Sequence, residues 1–209
     1  TMNSTAASRV LGLDQGELNR ITAGKLVIGS ATGGDIKVAN VITTQDATGD
    51  LTLRTGGNVN IANNLTVGAT GGKNLTIEAA GASSTVDGSG VVKANALKIT
   101  GANASVAMAS VAHQVSTLSA DVKALAFKNS QALKVAAKTN DGSIQVETTN
   151  GTLTVDNLDG LTGLAAKGDI TAVGNTTSGS GLLLGSSVKS DEGDVTLQGT
   201  TAGKIGRAS

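Results

Sequence analysis

His113 is the only imidazole in the chain. An imidazole that works as a base or a metal ligand needs carboxylates or a second histidine beside it. His113 lies in the apolar stretch Val111–Val115 with neither nearby in sequence, so it reads as a solvent-facing or hydrogen-bonded residue. Asp35, Asp50, Asp169 and Asp194 each follow a glycine and precede an aliphatic string. Their oxygens could line a calcium ladder. The Gly-Gly-x-Gly-x-Asp nonapeptide of calcium-binding β-rolls is absent, however, and aspartate after glycine is ordinary turn chemistry. Glu78, Glu147 and Glu192 are the acids that a glycan-cleaving site would draw on. They are dispersed, and the chain has no tyrosine or tryptophan to hold a sugar. Thr52, Thr66, Thr76, Thr154, Thr171 and Thr196 occupy the middle of their strings, where stacked hydroxyls could make a flat face for ice or crystalline polysaccharide. Lys37, Asn60, Lys98 and Gln145 interrupt that row, and single threonines fit the β-branched preference of a solvated sheet face. No catalytic, cofactor-binding or metal-binding residue is nominated.

Composition narrows the remaining classes. The 209 residues include 29 glycines, 16 basic and 16 acidic side chains, one phenylalanine, and no proline or cysteine. A net charge of zero removes a broad electrostatic case for nucleic acid or an anionic membrane, and stacking platforms for single strands are missing. No apolar run approaches the roughly 20 residues of a membrane-spanning helix; the longest cluster is Leu182-Leu183-Leu184. Absent cysteine excludes disulfides and thiolate metal sites. No secretory signal is legible from Thr1, which fits a mature segment, an internal segment or a chain that is not exported. With 39% hydrophobic residues the chain can still build a core, from valine, leucine, isoleucine and alanine.

Those aliphatics come in short alternating strings set off by glycine, aspartate or asparagine, such as Gly49-Asp-Leu-Thr-Leu53, Asn74-Leu-Thr-Ile77 and Gly168-Asp-Ile-Thr-Ala172. Apolar residues two apart mark half-buried strands, and the preceding Gly-Asp or Asn supplies the corner. One anchor per string gives Leu26, Leu51, Leu75, Leu97, Leu118, Ile144, Ile170 and Val195, in steps of 25, 24, 22, 21, 26, 26 and 25 residues. A period in the twenties with two or three strands per unit predicts an all-β solenoid. Rungs of about 21–26 residues would place about eight coils over 25–209, after a lead-in segment over 1–24. A β-sandwich is the competing architecture, but its core leans on large aromatics. Asp14 and Glu17 have the spacing of a capping box, so the lead-in segment is expected to hold a short helical turn.

One stretch carries two periods. Met108, Val111, Val115, Leu118, Val122 and Leu125 step by three and four, the pattern of an amphipathic helix. A helix there would interrupt the ladder between Leu97 and Ile144, so strand is the main reading for 105–126, with helix as the alternative.

Two stretches resemble filamentous haemagglutinin-like exoproteins, the large two-partner-secretion adhesins of Gram-negative bacteria. They are Leu18-Asn-Arg-Ile-Thr-Ala-Gly-Lys-Leu-Val-Ile-Gly29 with Gly34-Asp-Ile-Lys-Val38, and Gln114-Val-Ser-Thr-Leu118 with Ala126-Phe-Lys-Asn-Ser-Gln-Ala-Leu-Lys-Val135. The resemblance implies a right-handed parallel β-helix, strand rather than helix at 105–126, secretion to the cell surface, and an adhesive or structural role. The family's secretion domain carries Asn-Pro motifs that this proline-free chain lacks, so the resemblance implies an internal shaft segment.

The expectation is therefore a non-catalytic structural shaft, extracellular or on the cell surface, with no cofactor, no nucleic acid and no membrane insertion. Its partners would be neighbouring rungs, further copies of itself end to end, or a host-cell, cell-surface or glycan receptor. A self-assembling fibre or sheath subunit is the second reading, and a glycan-binding or glycan-cleaving solenoid the third. Either of the first two leaves open coil ends, so the excised segment is expected to associate through them.

Overall fold

Strings with aliphatics two apart can bury one edge only by facing a shared interior, and parallel coiling provides one for all of them. In the computed structural model, which describes residues 12–201, they do so as a parallel β-solenoid of about seven turns. Residues 1–11 and 202–209, including the first part of the lead-in segment and the 206–209 tail, lie outside the described residues.

Three series of parallel pairings run through the N-terminal half. Lys25–Gly29, Asp50–Thr55, Leu75–Ala79 and residues 97–100 stack in register, with Leu26, Leu51, Leu75 and Leu97 in one column. Ile36, Val59, Val86 and Val106 form the second column, and Ile42, Leu65 and Val92 the third. On the C-terminal side Leu125, Ile144, Ile170 and Val195 align, as do Leu133, Leu153 and Leu182. Like thus stacks on like, and the buried aliphatics make one continuous cluster from Val38 to Ala172.

The anchor series read from the sequence breaks at one step. Leu118 pairs with Val135, and Ile144 pairs with Leu125, so the interval from Leu118 to Ile144 joins two different columns and is not a rung. Turn length is also more variable than 21–26 residues. Leu118 and Val135 are 17 apart, while Leu153 and Leu182 are 29 apart. Corners absorb the difference, because loops can lengthen while the strands keep their register.

Residues 105–126 are strand, within an extended stretch running from Val92 to Asn129. The helical look of this stretch has a geometric origin. Interior positions are 118, 120 and 122, then 125, 127 and 129: steps of two along each strand and three across the corner. Two, two and three add to a heptad, so sampling Leu118, Val122 and Leu125 imitates a helix seam. The residues between them separate the cases. Ala120 and Phe127 are buried, where a helix would turn both away from the seam.

Corners are tight because they too are stacked. Gly49 has φ +68°, and a Cβ there would sit 2.2 Å from the carbonyl oxygen of Gly24 in the preceding coil. Only glycine fits both the conformation and the approach.

The N-terminal coil is covered from above. The helix α1, Gln15–Leu18, starts on Asp14, whose carboxylate accepts from the Glu17 N–H while the Glu17 carboxylate accepts from the Asp14 N–H. Leu18 is buried. The Gln15 amide accepts from the Thr43 N–H (2.8 Å) and donates to the Thr43 carbonyl (2.7 Å), standing where another coil's backbone would.

Ile170 lies between Ile144 and Val195 in the interior, whereas Thr171 faces out between Gln145 and Thr196. Ile170→Ala should cost on the order of 2–5 kcal/mol in denaturant unfolding, and Thr171→Ser under about 0.5 kcal/mol. Similar losses at both positions would contradict this register.

Candidate functional site

In a parallel coil each corner leaves backbone N–H groups that need partners from the neighbouring coil. The aspartates and asparagines at the corners supply them. Asp35 accepts from the Asn58 N–H (2.7 Å), and Asn58 in turn accepts from the Thr85 N–H (2.9 Å). Asp50 accepts from the Asn74 backbone and side chain, and Asn74 accepts from Asn95. Further on, Ser143 accepts from the Asp169 N–H and Asp169 from the Asp194 N–H (2.9 Å). Turn chemistry is only half of what these residues do; they also tie each coil to the next. Among the described residues, no three histidine or acidic side chains converge on a point that could hold a metal ion.

The three glutamates are held apart and paired with cations. Glu78 meets Arg54, its neighbour in register, and that guanidinium keeps the Glu78 carboxyl below its ordinary range. Glu147 meets Lys128 at 3.3 Å and Glu192 meets Lys167 at 3.8 Å. Asp156 is likewise held low, by Lys134 at 2.8 Å.

The six threonines do not share a face. Thr52 and Thr76 stack between Val27 and Lys98, Thr66 follows Thr43, Thr154 lies between Lys134 and Leu183, and Thr171 and Thr196 follow Gln145. Thr52 departs from the outward expectation altogether: it is 0% exposed and its hydroxyl has no hydrogen-bond partner among the described residues.

His113 is inside the coil, 1% exposed, which corrects the solvent-facing half of its reading and keeps the hydrogen-bonded half. Its Nδ1 accepts from the Val92 N–H at 3.0 Å, so Nε2 carries the proton and donates to the Met108 carbonyl at 3.0 Å. The ring stacks on Phe127 with centroids 5.0 Å apart. Burial pushes its pKa down to about 4, outweighing the opposing effect of the Met108 carbonyl.

Asn129, also fully buried, plays a matching part that the sequence reading missed. Its side-chain amide accepts from the Val115 N–H and donates to the Val115 carbonyl, at 3.0 and 2.9 Å. Both residues replace a missing backbone partner with a side chain. The usable sequence signal is their phase: each falls on an interior position of the alternation.

Among the described residues, two surface depressions bear on the question of chemistry. A shallow groove of about 380 Å³ is lined by Ser116, Gln131, Leu133, Lys134, Thr152 and Thr154. A smaller cleft of about 130 Å³ lies between Lys98, Thr100, Ser119 and Asp121 on the coil and Asp159 and Leu161 on a projecting hairpin. In neither does a nucleophile face a histidine base. Comparison with protein families, with curated proteins and with solved structures finds no match.

Because folded His113 titrates below its ordinary value of 6.5, the unfolded chain binds more protons between the two values. Stability is then complete above pH 6.5 and falls as pH drops towards 4, by about 2–3 kcal/mol at pH 4.5. The lowered carboxylates Glu78 and Asp156 act below 4.5, so the windows separate. Urea titrations from pH 7 to 4.5 should show this slope in the wild type, and its loss in His113→Gln. If Asp35, Asp50, Asp169 and Asp194 serve only the backbone, excess chelator should leave the melting curve unchanged; a drop of several degrees would restore the calcium ladder.

Proposed function

We propose that this coil is a structural, non-catalytic shaft segment of an extracellular bacterial adhesin or filament, of the filamentous haemagglutinin-like kind that its two motif stretches resemble. The observation that carries the proposal is the unbroken interior ladder from Val38 to Ala172, bound coil to coil by corner side chains. Length and stiffness are what such a ladder supplies. Asp35 and Asp50 are occupied with backbone donors, and Glu147 and Asp156 with cations.

A self-assembling fibre or sheath subunit is the second reading, favoured by the C-terminal coil. Val195 and Leu197 occupy interior columns yet are 45% and 40% exposed. The strand Val195–Thr201 is uncharged and pairs on one side only among the described residues, a template for further β-pairing. Against growth head to tail stands α1, since Gln15 already occupies the Thr43 edge of the first described coil. The shaft is therefore the preferred reading.

Immunogold labelling of intact producing cells should decorate the surface or shed fibres, and label confined to the cell interior would overturn the extracellular assignment. The isolated segment should associate through the Val195–Thr201 edge. Ultracentrifugation and electron microscopy should show mainly two-unit rods, each unit roughly 35 Å long at about 4.8 Å per coil. Long arrays would favour the subunit reading, and a stable monomer at high concentration would refute the open edge. The reading frame around the segment discriminates further: a very long frame with many coils fits a shaft, a short secreted one a subunit.

A further inference from the structure

The hairpin between Val155 and Leu164 is the one antiparallel pairing among the described residues, with Asn157 opposite Thr162 and Leu158 opposite Leu161. Its tip is Asp159-Gly160, with φ of 52° and 84°, the two-residue turn that favours this dipeptide. Hairpins can stand free of a coil. This one lies back along the outer surface.

Burial on that surface records where it lies. Val135 and Ala137 belong to the interior cluster, so Ala136 between them points outward, yet Ala136 is 0% exposed and is not part of that cluster. The strand that holds it, Leu133–Thr139, packs against both arms of the hairpin. Ala136 pairs with Ser119 of the preceding coil. Ser119 also points outward, between interior Leu118 and Ala120, and is only 4% exposed. Its hydroxyl donates to the Asp159 carboxylate. One coil further back, Lys98 reaches the same carboxylate at 3.9 Å.

We infer that the hairpin is a clasp that binds three successive coils, those of Lys98, Ser119 and Ala136, to the coil beginning at Leu164. Corner ladders such as Asp35–Asn58 and Asp50–Asn74 join adjacent coils only. In a solenoid held by nearest-neighbour contacts alone, each coil can open with little effect beyond its neighbours. The clasp adds a tie that skips coils, so this block opens as one unit. Small size at position 136 is part of the device. Lys134 and Lys138 flank it on the same outward face, and a long side chain at Ala136 would lift the hairpin without touching the interior.

Native-state hydrogen exchange on the full chain tests this. In the wild type, amides of residues 97–100, 118–121 and 135–138 should share one opening free energy and one denaturant dependence. Asp159→Asn keeps the turn, since Asn-Gly suits it equally, but removes the charge and weakens the acceptor. It should accelerate exchange at 97–100 and 118–121 about tenfold, leaving residues 51–55 unchanged. Ala136→Lys should produce the same uncoupling by a different route, and Ser119→Ala with Asp159→Asn should be non-additive. Lys128→Ala, which breaks a tie between adjacent coils, should leave 97–100 unaffected. Unchanged protection in both Asp159→Asn and Ala136→Lys, or separate opening of the three coils in the wild type, would overturn the clasp.

Discussion

Every coil lies one strand spacing above the last, in parallel register, and this stacking dictates the rest of the molecule. At about 4.8 Å per step there is room for a residue over its equivalent, and little else. Leu26, Leu51, Leu75 and Leu97 can therefore share a column, and the rings of His113 and Phe127 fit the interior by stacking with centroids 5.0 Å apart. The same spacing reaches the corners, where Gly49 sits on Gly24 with no space for a Cβ. Glycine at such corners follows from it.

Stacking also sets an obligation. At corners the regular ladder lapses, and each exposed N–H must find an acceptor. Outside the coil, Asp35, Asn58, Asp50, Asn74 and Asp169 meet it by reaching one step along the axis. Inside, where water is absent, His113 and Asn129 meet it, and the cost of burying them is offset only while every polar atom is paired. A neutral imidazole satisfies a donor and an acceptor together; a protonated one has no lone pair for the Val92 N–H. Burial and this pairing account for a histidine of lowered pKa with no catalytic purpose needed.

The architecture was largely legible because its two signals are local: alternation by two along each string and glycine-led corners between them. Register was legible wherever turn length was constant, as from Leu26 to Leu97 and from Ile144 to Val195. It failed between Leu118 and Ile144, where the shortest turn let one column be mistaken for another. Burial of polar residues was less legible. His113 and Asn129 look like surface residues by type, and only their phase within the alternation reveals them. The covering of Ser119 and Ala136 was invisible, because it depends on a hairpin 20 to 40 residues away folding back across coils.

The two sides of the described coil solve the edge problem differently, and the contrast bears on how the fold can be extended. At the N-terminal side a single glutamine amide substitutes for a strand, and Leu18 of the same helix is buried. Such a cap closes one column of backbone groups; Leu26 and Ile28, in another column, are only partly buried. The Val195–Thr201 strand has neither amide nor leucine over it among the described residues, and carries no charge to discourage pairing. A parallel coil adds its next turn on any edge that presents an aliphatic column in register. Val195 above Ile170 and Ile144 presents one. Continuation of the ladder on that side requires only that the next strand bring an aliphatic to the same column, whereas on the other side it requires α1 to leave.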